Sequence, residues 1–84
     1  MNAKLAKKIC SFITTEQATK VETPSLKFYS SGIYLGEAVT IFDDKVNNKI
    51  YMYFDFSLFI FDAQLHEYFT ITEILEALHI EHLI

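Results

Sequence analysis

Apolar and polar positions along the chain fall into three patterns. From Lys49 to Asp62 (KIYMYFDFSLFIFD) they alternate: Ile50, Met52, Phe54, Phe56, Leu58 and Ile60 share one parity, and Tyr51, Tyr53, Asp55, Ser57, Phe59 and Phe61 share the other. Period-two alternation is how a pleated strand presents two faces. The even face is wholly apolar and predicts a side turned to the core. The odd face mixes tyrosines and phenylalanines with Asp55 and Ser57, which suits neither a wet surface nor an ordinary core. A strand of about 12 residues is long, so a bend near Asp55 to Ser57, or pairing across more than one neighbour, is expected. Its second half, Ser57 to Phe61, has little partner length in this chain and is expected to offer an edge to another polypeptide.

The second pattern is helical. After Asn2, a capping residue, Leu5, Ile9, Phe12 and Ile13 recur at three- and four-residue spacing and predict a helix from about Ala3 to Thr14, with Lys4, Lys7 and Lys8 off the apolar stripe. Near the other end, Thr70-Ile-Thr-Glu73 fits a capping box, with Phe69 and Ile74 placed as a hydrophobic staple. A helix should begin at Ile71 and bury Ile71, Ile74, Leu75 and Leu78.

The third pattern is short apolar runs broken by turn residues. Leu26 to Tyr29 reads as a strand ending at Ser30, Ser31 and Gly32. Ile33 to Phe42 reads as a second strand with a bulge at Gly36, and Asp43 to Asn48 as the turn into the long strand. Thr14 to Ser25, polar and holding the only proline, Pro24, is a connector. Ala63 to Phe69 fits a strand continuation or a helical turn equally well. The expected fold is α+β: a single domain over residues 1–84, a three-stranded antiparallel meander with an N-terminal and a C-terminal helix packed on its even face.

Composition adds constraints. At 84 residues, 51% hydrophobic and 15% aromatic, the chain has a rich core for its size and is not disordered in character. One cysteine, Cys10, leaves no internal disulfide and no cysteine-based zinc finger, which fits a reducing, cytoplasmic setting. There is no continuous apolar leader and no run near the roughly 20 residues that span a bilayer, so no membrane association is expected. The net charge of −4 is unevenly spread: residues 1–35 balance at +3 and residues 36–84 at −7. Arginine is absent, which removes the bidentate phosphate and guanine contacts of sequence-reading proteins, and no direct nucleic-acid binding is expected.

Candidate chemistry is sparse. The chain lacks a glycine-rich phosphate cradle and a pairing of nucleophile with oriented base, and Asp55 and Asp62 fall on opposite strand parities, so no enzyme and no cofactor are expected. Asp43, Asp44, Asn47 and Asn48 lack the alternating ligands and closing glutamate of a calcium loop. Glu76-x-x-His79 and His79-x-x-His82 place ligand types one helical turn apart, but one copy supplies too few, so they point only to a metal-linked dimer. What remains is the odd face of the long strand. Tyr51, Tyr53, Asp55, Phe59 and Phe61 have the aromatic-rich, lysine-free composition of interface centres. The expectation is a small non-catalytic interaction protein, a homodimer that binds another protein through these residues and its acidic C-terminal half. Regulators, adaptors or inhibitors of the kind mobile elements encode are an analogy for such a chain. The alternative class is an acidic mimic that occupies a nucleic-acid-binding groove on its target.

Overall fold

The computed structural model describes residues 1–18 and 23–84. Helix α1 (Ala3–Cys10) starts as its cap requires, with Asn2 Oδ1 accepting from the Leu5 amide at 2.8 Å. Lys7 and Lys8 stand in its last turn, where the helix dipole favours cations. It stops at Cys10, short of the expected Thr14. Phe12 lies exposed in the turn that follows, and Ile13 opens a strand, β1 (Ile13–Gln17), within the stretch expected to be a connector.

Four more strands follow: β2 (Leu26–Tyr34), β3 (Glu37–Asp44), β4 (Lys49–Phe54) and β5 (Ser57–Asp62). Among the described residues they form one antiparallel sheet in the order β1-β5-β4-β3-β2: β2 to β5 run as a four-stranded meander and β1 adds beside β5, so the sheet has five strands where three were expected. One of the two additional strands is β1, and two corrected turns account for the rest of the change. Leu35 and Gly36, with φ of 50° and 81°, make the two-residue turn between β2 and β3. The bulge expected at Gly36 lies instead between Phe28 and Ser30, where a turn was expected. The second correction divides the long strand: Asp55 and Phe56 have φ of 50° and 58° and close a hairpin between β4 and β5. Both tips have positive φ at their two central residues, the geometry whose twist matches right-handed strands.

This second tip reverses the parity argument. Phe54 pairs with Ser57 across it, Met52 with Phe59 and Ile50 with Phe61. Cross-strand partners share a face, so even residues point inward on β4 and odd residues point inward on β5. The inner face carries Val39 and Ile41 from β3, Ile50, Met52 and Phe54 from β4, and Phe59 and Phe61 from β5, all buried. Ile13, opposite Phe61, joins them from β1.

Among the described residues there are three helices, and all of them cover this face. Helix α2 (Ala63–Tyr68) settles the ambiguity over residues 63–69 and contributes Leu65. Helix α3 (Ile71–Ile80) has its capping box, with Thr70 Oγ1 accepting from the Glu73 amide at 3.2 Å and Glu73 Oε1 from the Thr70 amide at 3.0 Å. It buries Ile71, Ile74, Leu75, Ala77 and Leu78 against α1 and the sheet, where Ala6 and Ile9 of α1 complete one continuous core. Its end is a Schellman motif: Leu83 N donates to Leu78 O and His82 N to His79 O, with His82 left-handed at φ 56° where glycine is usual. The Ala18 amide donates to Phe56 O, and the Thr23 carbonyl accepts from Leu26 N. Among the described residues no helix is long and apolar enough to cross a membrane.

Candidate functional site

The sheet's outer face, turned away from the helices, is where aromatic residues gather. Register places Phe28, Phe42, Tyr51, Ile60 and Thr14 in one row across all five strands, and Ser31, Thr40, Tyr53, Leu58 and Glu16 in the next. Tyr51 is nearly buried between Phe42 and Ile60, whereas Tyr53 is 40% exposed and Phe28 63%. Phe28 and Phe42 meet edge to face with ring centroids 6.2 Å apart, a favoured aromatic arrangement. At one end of this face Lys49 pairs with Asp62 on the neighbouring strand.

The residues expected to form an interaction surface therefore separate. Tyr51 and Tyr53 lie on the outer face. Asp55 sits exposed in the β4–β5 tip beside Phe56, which is 85% exposed. Phe59 and Phe61 are inside: the tip turned their parity over, and they are core residues beneath the helices, closed to a partner in the folded chain. Nor is β5 an edge, because β1 pairs with it from Ser57 to Phe61. Leu58 and Ile60, expected inside, take the outer positions. Phe28 and Phe42 were missed because their strands were cut at the wrong turn residues.

The acids are dispersed and partly engaged. Asp44 is buried and accepts from the Asn47 side chain at 2.8 Å and from its amide at 3.1 Å. The Asn47 side chain, helped by Ser25 and the Asn47 and Val46 amides, holds its carboxyl below the usual range against the opposing effect of burial. Glu73 caps α3, and Glu76 lies 3.4 Å from the N-terminal amine. Glu67, Glu73, Glu76 and Glu81 belong to or adjoin the helices on the inner side, so one flat partner does not meet them together with Tyr53.

His82 lies past the end of α3, so His79 and His82 do not share a helical face as their spacing suggested. His79 Nε2 is 3.3 Å from Glu37 Oε1, near enough to pair when protonated, but not aligned as a hydrogen bond. Among the described residues no three His, Cys, Asp or Glu side chains gather as metal ligands do. Concavities among the described residues on the helical side include a pair beside α2. One, of about 400 Å³ and largely apolar, is lined by Leu5, Ile9, Phe12, Leu65, Tyr68 and Phe69 together with Lys8. The other, of about 370 Å³, brings Tyr29, Tyr34, His66 and Thr70 together. There His66 meets the Tyr29 ring edge-on, and its Nδ1 is buried with no hydrogen-bond partner among the described residues to orient it as a base. Cys10 has its thiol pushed up by burial and then by the Glu81 carboxylate, the opposite of an activated nucleophile.

Comparison of the chain with protein-family models, with curated proteins and with solved structures returns no match.

Proposed function

We propose that the protein is a non-catalytic interaction module, a homodimer that binds another protein through the outer face of its sheet. One observation carries this reading. Among the described residues every helix packs on the same side, leaving the aromatic row of Phe28, Phe42 and Tyr51, with Tyr53 beside it, on a face that none of these helices covers. Large aromatic side chains bury much area at little entropic cost, and interface centres are enriched in them and poor in lysine. Of the residues expected from the sequence, Tyr53 remains available on this face and Asp55 is exposed in the tip at its end, and Phe28 extends the patch. The acidic helices on the inner side form no part of it.

The test is paired affinity capture from the native host with wild type and with Phe28→Lys plus Tyr53→Lys. The expected result is a partner retained by wild type and lost by the variant, with circular dichroism unchanged. Equal retention by both would overturn the reading.

A further inference from the structure

We infer that β2 is the self-association edge, pairing antiparallel with β2 of a second copy about a two-fold axis at Gly32. This deepens the homodimer part of the reading above and rests on it.

The two edges of the sheet differ in kind. β1 is five residues long, and Thr14 to Gln17 are polar and exposed. β2 is nine residues, the longest strand, and among the described residues nothing pairs with its outer side. Natural edges are guarded by charge, proline, shortness or a bulge. On β2 the only charge is Lys27, there is no proline, and Phe28, Tyr29 and Ile33 are all largely exposed, Ile33 at 72%. The one guard is the bulge at Tyr29, which leaves Ser30 to Tyr34 as a regular, uncharged run.

The backbone geometry of that run suits a second copy. A two-residue tip at Leu35–Gly36 makes Tyr34 and Glu37 the hydrogen-bonded closing pair. Alternation along the ladder then gives Gly32 with Val39 and Ser30 with Ile41 as bonded pairs, and turns the N–H and C=O groups of Ser31 and Ile33 to the free edge. Two outward residues separated by one are what an isologous antiparallel contact uses. Ser31 of one copy stands opposite Ile33 of the other, and the reverse, with both amides and both carbonyls satisfied.

Gly32 then meets its own image at the non-bonded position, where strands approach most closely, with Cα atoms about 4.5 Å apart. No side chain stands there, and in each copy the Tyr34 ring already occupies the space that a Cβ at Gly32 would crowd. The two Lys27 residues fall at opposite ends of the joint, about ten residues or roughly 33 Å apart along the strands, so no like charges face each other. Ile33 of each copy is brought beside Ser31 and Phe28 of the other, covering the most exposed apolar side chains of the edge. The product is a ten-stranded sheet with both sets of helices on one side and the outer aromatic face doubled on the other.

Sedimentation over a dilution series tests this with wild type, Ile33→Pro and Ile33→Lys. Proline removes the outward amide and is tolerated on an edge, and lysine is an edge guard. The expected result is a wild-type mass of about twice the 9.8 kDa chain and half that for both variants with the fold retained. Folded variants that stay dimeric overturn the β2 assignment and leave the homodimer reading standing, while a monomeric wild type overturns both. Should either variant fail to fold, hydrogen exchange on wild type decides. Ser31 and Ile33 amides that exchange slowly at high concentration and faster on dilution support the joint, and fast exchange at every concentration overturns it.

Discussion

Phe54 and Phe59 stack across the β4–β5 tip with ring centroids 4.6 Å apart and planes 18° from parallel. Both are almost wholly buried, so this pair belongs to the core on the face that the helices cover. Phe59→Ala is expected to cost about 3–5 kcal/mol, the usual range for emptying a buried phenylalanine site. Tyr53→Ala, on the other face, should cost under about 1 kcal/mol. Denaturant unfolding of the two variants checks the contrast, and similar losses would mean that the inner and outer faces are wrongly assigned.

The Asp55–Phe56 tip stores backbone strain. A left-handed conformation costs an L-residue about 1–2 kcal/mol, and Phe56 recovers little of it by burial. Phe56→Gly is expected to stabilise the fold by about 0.5–1 kcal/mol after the greater freedom of glycine in the unfolded chain is subtracted. The reading is a higher denaturant midpoint at unchanged slope.

Asp44 makes stability depend on acid. Its carboxyl titrates lower in the folded chain than in the unfolded one, chiefly through the Asn47 side chain. The stabilisation is therefore fully present above the unfolded value of about 3.9 and is lost as pH falls through the folded value. Thermal melts below about pH 4 should fall more steeply for wild type than for Asp44→Asn, which has no charge to lose. Parallel acid limbs for the two proteins would contradict this.

Cys10 should be a slow thiol. With its pKa raised by burial and then by Glu81, little thiolate is present at neutral pH. Modification by a disulfide reagent is expected to be slower in the folded protein than in denaturant, and faster in Glu81→Gln than in wild type. A folded rate equal to the unfolded one would show the thiol to be open.

How much of this was legible beforehand divides along local and non-local lines. The Asn2 cap, the Thr70–Glu73 capping box, the start of α3 at Ile71 and the inward Ile50, Met52 and Phe54 were readable because each depends on residues within a turn or a strand of one another. The two tips were not. Leu35, Asp55 and Phe56 adopt left-handed φ without the Asn-Gly or Asp-Gly signature that marks such turns, so nothing local announced a reversal. β1 was invisible for another reason: ITTEQ has no apolar alternation and is a strand because β5 offers it an edge. Since the interaction surface was read from parity alone, the missed tip moved Phe59 and Phe61 from partner to core and brought Leu58 and Ile60 out. Tyr51 and Tyr53, upstream of the tip, kept their side.

The tip between β4 and β5 also sets which kinds of change the gene can absorb there. Exchanging Phe56 alters a side chain that touches little, but inserting or deleting a single residue would roll β5 over, sending Phe59 and Phe61 into water and Leu58 and Ile60 beneath the helices. At that point loop length, more than residue identity, is what the chain must preserve.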